Sequence, residues 1–143
     1  MRSDRRIPGI AALALAMALG GCAGWPDEGL TKSAVQRDDV ALRAVLAYAR
    51  TADDFDAAAY ARELKTLAAQ PDAPMVTLQR ALLSGQDRSE ADPARAVALL
   101  DKLLADTSAD AVVFHPLARI LHGQYSARVR LLGSNEKLAR EQR

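Results

Sequence analysis

Apolar residues in this chain recur every three or four positions, between short segments rich in proline, glycine and aspartate. No stretch alternates apolar and polar residues with the period of two that a half-buried strand requires. Alanine and leucine supply most of the apolar half of the composition, and both favour helices. The sequence therefore predicts an all-α protein, either a small bundle or a stack of hairpins with about five helices.

The expected helices are separated by clear breaks. Their approximate ranges are residues 33–50, 55–69, 74–84, 93–106 and 111–132. Pro116 lies inside the last range, which predicts either a kink there or a true helix start near His115. The segment Gly133-Ser134-Asn135 is expected to end the last helix and to leave a charged tail at residues 133–143.

Aspartates mark the expected helix starts. Asp72 and Asp92 are each followed within two residues by a proline, which is tolerated in the first turn of a helix. Asp53 and Asp54 are expected to cap the second helix, because an aspartate side chain accepts a hydrogen bond from a free N–H group of the first turn.

Each expected helix carries one apolar stripe for the core. The residues expected to face inward are Val35, Leu42, Val45, Leu46 and Ala49, then Phe55, Ala59, Leu64, Leu67 and Ala68, then Met75, Leu78, Leu82 and Leu83, and finally Val97, Leu99, Leu100, Leu103 and Leu104. The fourth helix has the strongest stripe.

The first residues have the parts of a secretory signal. Arg2, Arg5 and Arg6 form a positive segment, and residues 7–19 form an apolar segment of 13 residues. A membrane-spanning helix needs roughly 20. We therefore expect residues 1–21 to be a signal peptide.

Leu19-Gly20-Gly21-Cys22 follows the apolar segment and resembles the lipobox of bacterial lipoproteins. The resemblance implies that the signal peptidase recognises Leu19, Gly20 and Gly21, and that Cys22 becomes the first mature residue, carrying a diacylglycerol thioether and an N-acyl chain. Three acyl chains hold a protein firmly on a bilayer. Ala23 stands where inner-membrane lipoproteins carry aspartate, which implies the periplasmic face of the outer membrane. The alternative is a plain signal peptide followed by a free cysteine.

The mature chain has the size of one domain. The whole chain has 19 basic and 18 acidic residues, and the signal contains three arginines and one aspartate, which leaves 16 and 17 in residues 22–143. This balance gives no indication of nucleic acid as a partner. With its single cysteine carrying lipid, the mature chain would form no disulfide. We expect residues 22–32 to be a linker and residues 33–132 to be the helical domain.

Groups that could catalyse a reaction or hold a metal are sparse. His115 and His122 are seven residues apart, but the turn between them has no further histidine or carboxylate to complete a metal site. The adjacent aspartates at 38–39 and 53–54 diverge by about 100° on a helix. Neither a phosphate-binding loop nor a Gly-x-Ser-x-Gly elbow is present. We expect a protein that is not an enzyme and has no cofactor beyond the covalent lipid.

The last helix is the expected place of partner binding. Arg119, Arg128 and Arg130 lie in a segment, residues 116–135, that has no acidic residue. One interpretation is that their aliphatic stems cover an apolar seam. The other is that they bind an acidic patch on a protein partner, since arginine is favoured in interfaces.

From about Leu78 to Arg130 the chain has a leucine-rich segment (LQRALLSGQ), a polar gap, a short leucine helix (ARAVALLDKLLA) and a long helix with a proline (FHPLARILHGQYSARVRLL, which ends at Leu132). In the order of these features the chain resembles the QseG/YfhG family of small outer-membrane lipoproteins. That family is encoded beside a sensor histidine kinase and its response regulator, and is understood to contact the periplasmic domain of the kinase. The resemblance therefore implies a sensor histidine kinase as the partner.

Together these features predict an outer-membrane lipoprotein that binds an envelope protein. The segment PARAVALLDKLLA also resembles tetratricopeptide units in its pattern of small residues and leucines. A helical scaffold lipoprotein for envelope assembly or secretion machinery is therefore the alternative.

Overall fold

The computed structural model describes residues 28–86 and 91–142, with side chains from Lys32 onward. Within these ranges the chain is helical and contains no strand, which confirms the predicted all-α class. The helices are α1 (Glu28–Asp53), α2 (Ala57–Ala69), α3 (Pro74–Ser84), α4 (Pro93–Ala105), α5 (Ala109–Val112) and α6 (His115–Glu141). The chain divides after Ala34, and the packing described below lies in the unit Val35–Arg143.

The start of α6 decides between the two alternatives that Pro116 left open. The helix begins at His115, and Pro116 occupies its first turn, where the missing N–H group has no intrahelical partner to lose. The preceding residues form the separate short helix α5, which Ser108 caps by accepting a hydrogen bond from the N–H group of Ala111 at 3.3 Å. The second alternative, a start near His115, is therefore correct.

Two expected helix ends are wrong. The first helix begins at Glu28 rather than near residue 33, and α6 continues through Gly133-Ser134-Asn135 to Glu141. An isolated glycine or asparagine costs at most about 1 kcal/mol in a helix, and the flanking leucine, arginine, lysine and glutamate residues favour helix strongly. The Ser134 hydroxyl also donates to the Arg130 carbonyl at 3.0 Å, so the serine is accommodated inside the helix.

The expected caps are partly correct. Asp92 caps α4 by accepting from the Arg95 N–H group at 2.9 Å. The cap of α2 is Asp56, not Asp53 or Asp54, because α1 continues through Asp53 and so places the start of α2 further along the chain. Asp72 does not cap α3, whose N-cap is Ala73, because its carboxylate is held by two cations instead.

Helix α4 packs most extensively, against both α3 and α6, and α2 packs against α3. The buried apolar residues form two clusters. The first contains Val45, Leu78, Ala81, Leu100, Leu103, Ala111, Phe114 and Ala118, and the second contains Ala52, Tyr60, Leu67, Val76 and Leu83. Helices α1 and α3 contribute residues to both clusters, so these two helices connect them.

Most inward-facing residues were predicted correctly, with exceptions on α1 and α2. Val35 and Leu46 are 61% and 55% exposed, because the buried side of α1 is centred on Val45 and Ala52, two turns apart. Ala68 of α2 is exposed, while Tyr60, which was not expected in the core, is 2% exposed. The Tyr60 hydroxyl donates to the buried Leu83 carbonyl at 3.2 Å, which satisfies its polar end there.

Along residues 28–86 and 91–142, the helices fall short of the length and apolar character that crossing a membrane requires.

Candidate functional site

The predicted lipidation site, Cys22 with Leu19, Gly20 and Gly21, lies outside the described residues. The predicted partner-binding arginines all lie on α6, and the structure separates them into two groups.

Arg128 is engaged within the bundle. Its Nη1 donates to the carbonyl of Gly85 at 3.1 Å and to that of Gln86 at 2.7 Å. These carbonyls lie at the C-terminal end of α3, where a helix has unpaired acceptors and partial negative charge. Arg128 therefore caps α3 and holds α6 against it.

The ring of Tyr125 lies one turn before Arg128 and contacts the same end of α3. A Cβ atom placed on Gly85 would overlap this ring. The backbone of Gly85 has an ordinary φ of −87°, so the glycine is required for this close approach and not for its conformation. Burial raises the pKa of the half-buried Tyr125 hydroxyl.

Arg80 of α3 caps α2 in the same way. Its Nε and Nη2 donate to the Leu67 carbonyl at 3.0 and 2.7 Å, and Nη2 also donates to the Gln70 carbonyl at 2.7 Å. Its Nη1 donates to Asp72 at 2.7 Å, and Lys102 of α4 donates to the other oxygen of that carboxylate at 2.6 Å. Lys102 and Arg80 hold the pKa of the Asp72 carboxyl below its ordinary value.

The two histidines have separate structural partners. The buried His115 ring lies 3.1 Å from the Leu103 carbonyl and 3.0 Å from that of Asp106 through Nε2. Because both partners are acceptors, Nε2 carries the proton and caps the end of α4. His122 Nε2 lies 2.9 Å from Asp101. Among the described residues no group of three histidine, cysteine or acidic side chains could hold a metal ion.

Arg119 and Arg130 are exposed, and both face away from the bundle. They precede Ile120 and Leu131, which are 61% and 65% exposed. A third pair of the same kind, Lys137 and Leu138, follows one heptad later, and its leucine is 55% exposed. These six residues are called the outer face of α6 below.

The outer face was recognised only in part from the sequence. Arg119 and Arg130 were identified. Lys137 and Leu138 were not, because α6 was expected to end at residue 132, and Ile120 and Leu131 were not, because a helix was expected to have one apolar side. A basic residue is followed by an aliphatic one at positions 119, 128, 130 and 137, and the pairs at 119, 130 and 137 are separated by eleven and seven residues. Those spacings correspond to about three and two helical turns.

No protein-family model matches the chain, and neither a curated protein nor a solved structure matches it.

Proposed function

We propose that this protein is a non-enzymatic lipoprotein on the periplasmic face of the outer membrane, and that it binds an envelope protein through α6. The observation that carries the proposal is the outer face of α6. Three large aliphatic side chains are exposed there in one row beside Arg119, Arg130 and Lys137, and residues 116–135 contain no acidic residue that would neutralise the two arginines. The row therefore combines exposed apolar area with arginine, which is favoured in interfaces.

The sequence around Cys22 supports the membrane anchor. A positive segment, an apolar segment of 13 residues and a Leu-Gly-Gly-Cys motif occur in the order found in bacterial lipoproteins. A thioether-linked diacylglycerol and an N-acyl chain on Cys22 would hold the helical unit at the membrane.

The finer proposal for the partner is a periplasmic sensor domain of a histidine kinase, and it rests on the QseG/YfhG resemblance alone. The second candidate is a tetratricopeptide-like scaffold for envelope assembly or secretion machinery. Successive packing of α2 on α3 and α3 on α4 favours it, because helical repeats stack in the same order as they occur in the chain.

The anchor is tested with Cys22→Ser. The variant should accumulate as an unprocessed precursor and take up no radiolabelled palmitate, whereas the wild-type chain is cleaved and labelled. Cleavage of the variant at the normal position, without any label on either chain, would show a plain signal peptide and contradict the lipoprotein proposal.

The partner is tested by chemical crosslinking in intact cells with the lipidated full chain. Affinity purification and mass spectrometry then identify the crosslinked proteins. A histidine kinase among them, together with altered output of its target genes on deletion, supports the finer proposal. Assembly or secretion components without a kinase support the scaffold. The same set of proteins recovered from cells that lack this chain would contradict both.

A further inference from the structure

Helix α6 has two amphipathic sides, and only one of them is used by the bundle. Phe114 and Ala118 are buried, and Leu121 and Tyr125 pack against them on the side that faces α3 and α4. Ile120, Leu131 and Leu138 share one side of the helix, because they are separated by whole turns. That side lies opposite the buried one, since Ile120 is about 160° around the helix from Ala118. This second apolar stripe does not contribute to the core, because α6 packs against the bundle through its other side.

The second stripe is long and has small residues between its aliphatic ones. Ile120 and Leu138 are separated by 18 residues, which is about 27 Å along a helix. Between them lie Gly123 and Ser134, which are exposed, and Ala127, which is partly buried, and a side chain added at Gly123 would meet no atom within 4 Å. These small residues allow another helix to approach Ile120, Leu131 and Leu138 closely.

The charges beside the stripe indicate the chemistry of the partner that binds there. Arg119, Arg130 and Lys137 each precede one aliphatic residue of the stripe, so the three cations form one continuous edge about 100° from it. All three are exposed, and among the described residues neither a salt bridge nor a side-chain hydrogen bond engages their charged groups. From residue 116 to residue 135 this edge carries cations alone, and Glu141 joins it one turn after Lys137. Its arginines are complementary to carboxylates at matching intervals.

The same charges disfavour two other occupants. A second copy of this chain, laid parallel and in register, would bring Arg119 and Arg130 against the same two arginines, without an acidic residue from 116 to 135 to oppose them. An interfacial membrane helix generally has a broad apolar side with aromatic residues. This stripe has three large aliphatic residues and no aromatic residue, since Tyr125 packs against the bundle.

We propose that the outer face of α6 binds an amphipathic helix of a partner protein, with its apolar side on Ile120, Leu131 and Leu138 and an acidic edge along Arg119, Arg130 and Lys137. This inference rests on the proposed function and specifies the contact through which the lipoprotein would bind its envelope partner. Arg128 is not part of the contact, because it caps α3.

The test places a photo-crosslinking amino acid at position 120, 131 or 138 of the lipidated full chain in cells, and at the exposed position 105 on α4 as the control. The crosslinked peptides are then sequenced by mass spectrometry. We expect all three outer-face positions to react with one partner segment that has an apolar stripe and an acidic edge, and position 105 not to react with it. Peptides from a second copy, lipid adducts, or a partner segment without an acidic edge would each overturn the proposal.

A charge reversal provides the second measurement. The variant Arg119→Glu/Arg130→Glu/Lys137→Glu should reduce the photo-adduct yield at least tenfold, and replacing the facing acids of the partner by lysine should restore it. The matched control is Arg62→Glu/Arg95→Glu/Lys65→Glu, which makes the same charge change at exposed positions of α2 and α4 and should retain the yield. Equal losses in both variants would overturn the proposal, and circular dichroism verifies that both remain helical.

The experiments distinguish a failure of the proposed binding surface from a failure of the proposed function. If chemical crosslinking recovers an envelope partner but the outer-face positions give no adduct with it, the outer face of α6 is not the binding surface. The proposal that the protein binds an envelope partner then remains. If neither method recovers a protein partner, both proposals are wrong.

Discussion

Three helices of the bundle end against a basic side chain from a later helix. Arg80 caps α2, Arg128 caps α3 and His115 caps α4, each by donating to carbonyls at the helix end. These bonds join residues 13, 42 and 12 positions apart in the chain. From the sequence, Arg128 was expected either to cover an apolar seam or to bind a partner, and Arg80 was not singled out. Local sequence signals cannot show which free carbonyls a distant side chain will reach, because that depends on how the helices pack.

Because Gly85 lies so close to the Tyr125 ring, adding one methyl group at position 85 should destabilise the fold. Gly85→Ala places a Cβ atom in the Tyr125 ring and should lower the free energy of unfolding by about 1–3 kcal/mol, the usual cost of overpacking. Urea denaturation followed by circular dichroism measures this loss.

The matched control for Gly85 is Gly133→Ala, because a Cβ at Gly133 meets nothing within 4 Å. That variant should raise helicity, since alanine favours a helix interior over glycine by about 1 kcal/mol. If Gly85→Ala had the same free energy of unfolding as the control, Tyr125 would not contact the end of α3 as closely as described.

The carboxylate of Asp72 predicts a dependence of stability on pH. Lys102 and Arg80 lower its pKa in the folded state, so its contribution is fully present above the ordinary pKa of about 3.9 and is lost as the pH falls through the lowered value. Asp72→Asn should therefore melt below the wild type at pH 7, and the difference should narrow below about pH 4.

The control for Asp72 is Asp54→Asn, which replaces an exposed aspartate in the turn after α1. Its melting temperature at pH 7 should equal that of the wild type. A difference for Asp72→Asn that stayed constant down to pH 2 would mean that the substitution removes something other than the charge.

At the scale of single elements, local signals were sufficient for α3 and α4. Prolines at Pro74 and Pro93 fixed their starts, and Gly85 follows the end of α3. The same kind of signal failed at Gly133, because one weak residue is outweighed by strong helix formers on both sides. The stripe on the outer side of α6 was also missed, since a helix was expected to have one apolar side.

The last part of α6 should be helical without supporting the bundle. Every described residue from Arg130 onward is exposed. Asn135→Pro removes an N–H group and introduces a clash with the preceding turn, which costs about 3 kcal/mol in a helix interior. We expect a loss of ellipticity at 222 nm with an unchanged midpoint of thermal unfolding.

Asn135→Ala is the control at the same position, and it should increase the ellipticity because alanine is the better helix former. A lower melting midpoint for the proline variant would show that residues after Arg130 support the core, contrary to their exposure.

At the scale of the whole unit, the two core clusters should unfold together. Leu78 and Ala81 of α3 belong to one cluster, and Val76 and Leu83 of the same helix belong to the other. The sequence predicted the apolar stripes but not this arrangement, because the amphipathic pattern of a helix does not specify which neighbours cover it.

Leu67→Ala and Leu100→Ala each remove a fully buried side chain, one from each cluster. Each should lower the free energy of unfolding by about 2–5 kcal/mol in a single transition. Far-ultraviolet signals from the helices and near-ultraviolet signals from the tyrosines should give the same midpoint. Leu46→Ala, at an exposed position, should change stability by less than about 0.5 kcal/mol. Separate midpoints would mean that α3 does not couple the clusters.

The continuity of α6 has a mechanical consequence. The helix is held against α3 as far as Arg128, and Leu138 lies 10 residues further along, at a distance of about 15 Å. It is therefore a short lever arm that pivots where Arg128 contacts the end of α3. A sideways movement of about 5 Å at the tip corresponds to a rotation of about 20° at this pivot. A pull on a partner that holds the tip would therefore reach the end of α3 as a torque.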